Sequence, residues 1–476
     1  MRQSFKLAPA AAALLAALLL AACAGAPPAP PEPPTPPAAW TAPPGAGASD
    51  ASNAAWAPLL APGLQELLAQ SLAANTDIRR AVLTARNAAL QARATGLRVT
   101  PSVGLSYEAN RPLGSQATVN VDGVLVPAGP AAQWTHSYGA SLGASFELDL
   151  WNRLAQLDAQ QAALTEAARS DVAAARLVIA DKVAEDFWTL AANERFAALA
   201  AAKLKLAEET LPLVSARVRE GKLQPIEIDK AAAVVKSARQ QLAGYEATAA
   251  KTRVDLAKLL DQAPPGPAVA AAALPDALPG WKPDAPGAVL ERRPDVHGAR
   301  LRVDAALAGA RAQRAARYPQ LTFSGGLATG GESIGNWFAQ PLLSLASNLT
   351  VPLIDWRRLD LEDAQRRNDL ETSALNLRDA VFGALGEVEG LLADQQRIAA
   401  EQSAAAQQLA QTRDAERIAN LQLEVGTIAR ADALQARTAT LDAELNLESA
   451  RLDALLNRLA LLRALCVEVP AGRAPA

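Results

Sequence analysis

Hydrophobic positions recur with a long helical period in two stretches of the chain. The clearer stretch, 360–424, contains 65 residues with no proline and only three glycines. Its apolar residues step by seven, at Leu370, Leu377, Ala384, Leu391 and Ile398. This spacing is typical of a helix that packs along other helices. The pattern predicts long helices at about 153–220 and 360–424, and returning helices at about 226–261 and 429–465.

A two-residue alternation precedes each long helix and predicts β-strands. The strand-like stretches are 103–107 and 138–150 in the first half of the chain, and 321–324 and 338–354 in the second. Glycine, proline and asparagine are concentrated at 110–133 and at 325–336, between the members of each pair. Each half therefore predicts one β-hairpin, at about 101–151 and about 319–355.

The two halves of the chain are repeats of one another. Trp151 precedes Gly221 by 70 positions, and Trp356 precedes Gly426 by the same 70 positions. A spacing conserved between the halves over so many residues predicts the same order of elements in each half. Asn152 tolerates left-handed backbone geometry, which an arginine does not, so the corner after Trp356 is expected to differ in shape from the corner after Trp151.

A shorter helix begins each repeat. Asp77 and Pro101 are 24 positions apart, and so are Asp295 and Pro319. The aspartates suit the N-terminal end of a helix, and the prolines are predicted to end it. Pro212 is predicted to kink the first long helix near its end.

The N-terminus carries a processing signal. A basic start is followed by an apolar run at 7–20, which predicts a signal peptide over 1–22 and is too short to span a bilayer. The sequence Leu-Ala-Ala-Cys at 20–23 resembles the bacterial lipobox and makes Cys23 the predicted lipid-attachment site. The alternative is an ordinary signal peptide with a coincidental cysteine. Residues 23–57 are rich in proline and alanine and are predicted to form an extended tether.

The remaining boundaries follow from the repeat. The predicted domains are repeat 1 at 58–261, an equatorial connection at 262–294, repeat 2 at 295–465 and a tail at 466–476.

Composition argues against several classes of protein. The net charge of −3 is unsuited to a nucleic-acid binder, which needs a basic face. Two cysteines and two histidines, His136 and His297, offer little for a metal site. No phosphate-binding loop or zinc-protease motif is present in the sequence. We therefore expect neither an enzyme nor a cofactor, apart from the covalent lipid on Cys23.

Four strands in one chain cannot close a barrel, and an open sheet edge is not tolerated in lipid. Strands that enter a bilayer would therefore require several copies of the chain. Three chains would supply twelve strands and enough helices to continue the barrel as a tube.

The lipobox, the two-fold repeat, the Asp-Leu-Trp-Asn-Arg junction at 149–153 and the glycine-centred turns resemble the TolC/OprM-like outer-membrane factors of efflux systems, of the lipoprotein or NodT type. The resemblance implies an α+β membrane protein. It is expected to be a homotrimer, with a 12-stranded outer-membrane β-barrel, four strands per chain, and a 12-helix periplasmic α-barrel. The implied partners are outer-membrane lipid, a periplasmic adaptor protein and an inner-membrane RND transporter, in a Gram-negative bacterium.

The resemblance also assigns roles to the ends of the long helices. Gly221 and Gly426 are expected at helical tips that dock the adaptor, or they are turn glycines only. Glu227 and Asp432 are expected at the periplasmic pore constriction, or they stabilise the first turn of the returning helix. Arg430 is expected to bridge to Glu227 of a neighbouring chain, or to be solvated.

Trp134 and Trp337 precede the second strand of each hairpin. They are expected to lie in an aromatic girdle at the membrane interface, or to pack within loops. The expected function is a passive exit duct for drugs or other small molecules. Two alternatives remain open, which are a type I protein-secretion channel and a periplasmic coiled-coil scaffold without a pore.

Overall fold

The computed structural model describes residues 29–32, 34–41, 56–111, 118–122, 124–127, 134–267, 272–279, 282–338, 340–352 and 355–467. The predicted signal peptide, the lipid site at Cys23 and nearly all of the tail lie outside these residues.

Eight α-helices are present in the described part of the chain. They are α1 (Pro62–Ala74), α2 (Thr76–Thr95), α3 (Arg153–Arg219), α4 (Ile226–Leu259), α5 (Pro286–Arg292), α6 (Pro294–Ala315), α7 (Trp356–Glu424) and α8 (Arg430–Ala464). The four predicted long and returning helices correspond to α3, α4, α7 and α8. α3 continues through Pro212 to Arg219, so the proline does not end the helix. No helix among the described residues is both long enough and apolar enough to cross a membrane.

The strands are β1 (Val99–Asn110), β2 (Thr118–Val121), β3 (Val124–Pro127), β4 (Thr135–Leu148), β5 (Gln320–Gly331) and β6 (Leu342–Thr350). Four of them form one antiparallel sheet in the order β1-β4-β5-β6. β2 and β3 form a separate two-stranded ribbon inside 110–133, which was predicted to be loop only. The ribbon accounts for the greater length of the first hairpin.

The chain divides into two compact units. The sheet unit contains Ala88–Thr165 and Arg302–Ala374, and so holds all four strands of the large sheet. The helical unit contains Glu32–Asn87, Glu166–Leu301 and Leu375–Ala476. Its fully buried side chains come from all four long helices and include Phe187, Leu190, Leu256, Leu392, Leu455 and Leu459.

The apolar seam predicted on α7 is largely buried. Leu370, Leu377, Ala384 and Ile398 are each less than 9% exposed, and Leu391 packs partly buried against the core. The seven-residue spacing thus identified the packed face of this helix.

Asp77 and Asp295 lie in the first turns of α2 and α6, as predicted, but the first short helix ends earlier than predicted. α2 ends at Thr95, and Pro101 lies within β1, opposite Ala144. The N-terminus of α2 is capped by Asn75 rather than by Asp77. The Asn75 Oδ1 accepts hydrogen bonds from the backbone N–H groups of Asp77, at 2.9 Å, and of Ile78, at 3.2 Å. An amide side chain just before the helix satisfies donors that the helix itself cannot pair.

Candidate functional site

The large sheet has one apolar face and one polar face, because the strand register places like residues opposite one another. The apolar face carries Val103, Leu105, Tyr107, Leu142, Phe146, Phe323, Leu327, Leu343, Leu345 and Leu349. The polar face carries Ser102, Ser106, Glu108, Ser137, Ser141, Ser145, Ser324, Ser344 and Asn348. On a strand, successive side chains point to opposite faces, so residues paired across the sheet share a face. The separation has exceptions, since Leu342 lies on the polar face and Ser347 on the apolar face.

The apolar face is exposed to solvent in the single chain. Val103 is 78% exposed, Leu105 is 75% exposed and Leu345 is 83% exposed. A contiguous apolar surface of this kind marks contact with a membrane or with another protein.

Small residues keep the polar face shallow. Glycines of β1 and β4 lie opposite serines, in the pairs Ser102–Gly143, Gly104–Ser141 and Ser106–Gly139. A Cβ at Gly104 would lie 2.8 Å from Ser141 Oγ, and a Cβ at Gly139 would lie 2.6 Å from Ser106 Oγ. The serine hydroxyls therefore occupy the space above the glycines, and no larger residue fits there without displacing them.

An aromatic cluster lies near the hairpin end of β1 and β4. The Tyr107 hydroxyl and His136 Nδ1 are 2.9 Å apart, and the Tyr107 and Tyr138 ring centroids are 5.1 Å apart. Trp134 lies just before β4 and is 57% exposed. Trp337 is half-buried in the turn between β5 and β6, where its carbonyl accepts a hydrogen bond from Thr329 Oγ1 at 2.7 Å. The cluster around Tyr107 was not predicted, although Tyr107 and Tyr138 follow the strand alternation.

The junction after β4 is a structural corner, as expected. Asp149 accepts hydrogen bonds from the backbone N–H groups of Leu154, at 3.1 Å, and Ala155, at 2.8 Å, at the start of α3. Asn152 has φ 58°, whereas Arg357 does not have a positive φ and lies inside α7. The predicted difference between the two corners is therefore confirmed.

The two tips have the same backbone geometry. Gly221 has φ 72° and Gly426 has φ 76°, the left-handed geometry that glycine readily adopts in a turn. At the first tip, Lys222 N–H donates to Arg217 O and Gly221 N–H donates to Val218 O, both at 2.9 Å. The second tip repeats this pair of bonds, from Thr427 and Gly426. This is the Schellman arrangement, in which a left-handed residue ends a helix and pairs its last carbonyl groups.

The acidic residues beyond the tips have local partners. The carboxylate of Asp432 accepts a hydrogen bond from the backbone N–H of Ala429 at 3.1 Å, at the start of α8. Lys230 Nζ donates a hydrogen bond to Glu227 Oε1 at 2.7 Å. Arg430 lies 3.6 Å from Glu209 of the same chain, a contact that the sequence did not indicate. Within the chain, Asp432 thus has the helix-capping role, and the expected pore and inter-chain roles remain predictions.

A charge network braces the helical unit. Arg293 is 8% exposed and donates to Ala464 O at 2.7 Å, to Glu387 Oε2 at 2.9 Å and to Asp295 Oδ2 at 2.7 Å. Arg463 Nη2 donates to Glu387 Oε1 at 2.8 Å. Burial alone would lower the pKa of Arg293, but its bonds and attraction to Asp295 and Glu387 hold that pKa above its usual value.

The network extends to Asp181 on α3, which lies 2.9 Å from Arg463. Burial raises the pKa of the Asp181 carboxyl from 3.8 to about 6, against the opposing attraction of Arg463. Burial also raises the pKa of the Cys466 thiol to about 11, so this free thiol stays protonated at neutral pH. Among the described residues, no group of three or more histidine, cysteine, aspartate or glutamate side chains is placed to hold a metal ion.

Comparison with known structures identifies the fold. The chain resembles the MtrE outer membrane channel of Neisseria gonorrhoeae with a TM-score of 0.77, at 22% identity, over 94% of this chain and 100% of that one. The strand hairpins and long helices are therefore the fold of outer-membrane channels.

Two curated relatives cover most of the chain. It is 29% identical over 389 residues to the pyoverdine export outer membrane protein OpmQ of Pseudomonas aeruginosa, which is 79% of both chains. It is 26% identical over 371 residues to the cation efflux system protein CusC of Escherichia coli, which is 74% of both chains. A family model described as outer membrane efflux protein matches residues 67–262 and 285–466.

The chain belongs to the outer membrane efflux protein family. It is an exit duct of an efflux pump and resides in the outer membrane of a Gram-negative bacterium.

Proposed function

We propose that the chain forms a homotrimeric, passive duct that conducts drugs or other small molecules out of the periplasm. The observation that carries this proposal is the two-faced sheet with β1 and β6 at its free edges. Unpaired backbone groups are costly in lipid, so the edges need partners. Three copies would join β1 of one chain to β6 of the next and close a 12-stranded barrel. The apolar face would then meet lipid and the polar face would line water.

The helices would continue this barrel as a 12-helix periplasmic tube. In this proposal the tips at Gly221 and Gly426 dock a periplasmic adaptor, which links the duct to an inner-membrane RND transporter. A lipid on Cys23 provides a further attachment to the outer membrane. The aromatic residues Trp134 and Trp337 lie at its interfaces.

The cargo is not specified by the duct itself. The names of the two relatives refer to pyoverdine and to cations, which are chemically different cargoes. A lining of hydroxyls and glycines supports a passage that conducts without selective recognition. The transporter and adaptor therefore choose the cargo in this proposal.

The proposal is tested on the full chain purified from outer membranes. We expect trimers that resist heat in detergent, hollow cylinders by electron microscopy and steps of ionic current in planar bilayers. A deletion strain should become more susceptible to drugs, and the adaptor and transporter should be recovered with the chain by pull-down. An elongated helical species that is soluble without detergent would support the scaffold instead. Loss of a secreted protein from the medium of the deletion strain would support type I secretion.

The pore role of the tip residues needs a separate test, because Asp432 also caps α8. Asp432→Asn keeps a side-chain oxygen for the Ala429 N–H and removes the charge, whereas Asp432→Ala removes both. If three carboxylates line the constriction, both variants should change single-channel conductance, and so should Glu227→Gln. If only the cap matters, Asp432→Asn should conduct like the parent chain. Arg430→Ala should raise conductance if an inter-chain bridge holds the tube shut.

A further inference from the structure

The two repeats hold the start of their short helix by equivalent contacts. In repeat 1, Asn75 Nδ2 donates a hydrogen bond at 3.0 Å to the carbonyl of Leu259, the last residue of α4. In repeat 2, Arg293 Nη1 donates at 2.7 Å to the carbonyl of Ala464, the last residue of α8. Leu259 and Ala464 are 205 positions apart, which is also the offset between the two tip glycines. The two contacts are therefore counterparts, and their surroundings can be compared residue by residue.

The space beside the two contacts differs in size. In repeat 2 it is a recess of about 110 Å³, with Arg293, Glu387 and Arg463 in its lining. In repeat 1 it is a cleft of about 760 Å³ beside Asn75 and Lys182. The short Asn75 side chain stands where repeat 2 has a long arginine, so the space that a guanidinium fills in repeat 2 stays open in repeat 1.

The walls around the two spaces also differ. The recess of repeat 2 is lined by residues of α6, α7 and α8, and by Ala174, Leu177 and Val178 of α3, the long helix of the preceding repeat. The cleft of repeat 1 is lined by α2, α3, α4 and the turn after α4, which are the counterparts of the first three walls. The counterpart of the fourth wall lies 205 positions further along the chain, on α7, around Phe382 and Gly383.

We propose that Phe382 and Arg378 of a neighbouring copy of this chain fill the repeat 1 cleft and supply its fourth wall. The inference rests on the proposed function, since it needs a closed homotrimer. In such a ring, repeat 2 of one chain precedes repeat 1 of the next, just as repeat 1 precedes repeat 2 within a chain. The junction between chains then repeats the junction within the chain.

The donor face of α7 is exposed in the single chain. Phe382 is 47% exposed, and Leu375, two helical turns earlier on the same face, is 55% exposed. Arg378 Cζ lies 5.1 Å from the centroid of the Phe382 ring. The guanidinium and the ring are therefore held together and enter the cleft as one unit.

The receiving cleft has a carboxylate that lacks a donor. Asp186 is 6% exposed, and its Oδ1 pairs with Lys182 at 3.1 Å. Its second oxygen, Oδ2, is buried and accepts no hydrogen bond from any described residue. A buried polar atom without a partner is costly. Four aspartates and two lysines line the cleft, so its charge favours a guanidinium such as that of Arg378.

The first test places a photocrosslinker at the donor position. Phe382→p-benzoylphenylalanine in the full lipidated chain is irradiated as the purified trimer. We expect a covalent product between chains, in which position 382 is joined to the segment 255–263 or 182–186. The control is the same probe at Val425, which is 74% exposed and lies 43 residues further on, about 65 Å along the helix. That probe should give no product with either segment.

The second test uses charge and ordinary side chains. Arg378→Glu puts a carboxylate beside the buried Asp186, so the trimer should dissociate at a lower temperature in detergent. Asp186→Asn in the same chain should recover most of that loss. The control is Arg417→Glu, which removes another exposed arginine of α7, and whose effect Asp186→Asn should leave unchanged.

Normal trimers that give no product between chains would overturn the inference, and so would a product at 382 with any other segment. An equal loss in Arg378→Glu with and without Asp186→Asn would overturn it as well. This second result decides the case if the bulky probe at 382 prevents assembly. Failure of the proposed function is distinct, because the parent chain itself would then form no trimers by native mass spectrometry.

Discussion

Removal of the Arg293 side chain should loosen the end of α8. In Arg293→Met, the Ala464 carbonyl and the Asp295 carboxylate each lose a donor, whereas Glu387 keeps Arg463. Loss of one partner from a buried ion pair costs about 3–5 kcal/mol. Because Glu387 remains paired and the Asp295 side chain is 45% exposed, we expect the lower end, about 3 kcal/mol.

The assay is hydrogen exchange at Cys466 and Val467, whose N–H groups donate to Arg463 O and Leu462 O at the end of α8. A global free energy of unfolding is poorly defined for a protein of this size, whereas local opening can be measured residue by residue. A loss of about 3 kcal/mol corresponds to exchange roughly 150-fold faster.

The control is Arg358→Met, which removes an exposed arginine with two acidic partners, Asp355 and Glu362. Exposed helical ion pairs contribute little to stability, so exchange near Arg358 should change far less than exchange at Cys466 does in Arg293→Met. An increase of less than tenfold at Cys466 in Arg293→Met would refute the view that this arginine holds α6, α7 and α8 together.

Three further predictions concern single residues. Gly426→Ala should destabilise the second tip by about 1–2 kcal/mol, measured by hydrogen exchange at Thr427. The space around a Cβ there is empty, so the cost comes only from the left-handed backbone geometry. Gly244→Ala, inside α4 and equally unobstructed, should instead stabilise its helix by about 0.5–1 kcal/mol. Asp181 has a folded pKa of about 6, above its unfolded value of 3.8, so the parent chain should lose stability as pH rises from about 4 to about 6. Asp181→Asn should lack this loss and be more stable at pH 7 by up to about 3 kcal/mol, measured as thermal inactivation against pH; equal profiles would contradict the assignment.

The long helices could be predicted because their packing depends on a repeating local pattern. A buried seam such as that around Leu377 leaves its seven-residue period in the sequence, whatever the helix packs against. The tip glycines could be predicted for a similar reason. A helix that ends on a residue with left-handed backbone geometry favours glycine there, as at Gly221 and Gly426.

The Arg293 network and the Trp40 contact could not be predicted in this way. Arg293 meets Glu387 and the Ala464 carbonyl at sequence separations of 94 and 171 residues, and no local pattern marks such partners. Trp40 likewise contacts Asp284, 244 residues away. Pro101 was misinterpreted because a proline that ends a helix and a proline in an outer strand satisfy the same local rule about their preceding residue.

The alternation of serine and glycine across β1 and β4 was present in the sequence, at Ser102, Gly104 and Ser106 and again at Gly139, Ser141 and Gly143. It becomes interpretable only with the register, which places each serine opposite a glycine.

The shallow serine–glycine face of the sheet limits how tightly a blocking compound could bind. A blocking compound needs a recess and several convergent polar groups to bind tightly. Where serine hydroxyls cover glycine α-carbons, as at Ser141 and Gly104, the surface has neither a recess nor convergent polar groups. A compound meant to block this exporter is therefore expected to bind poorly to the serine–glycine face of the sheet.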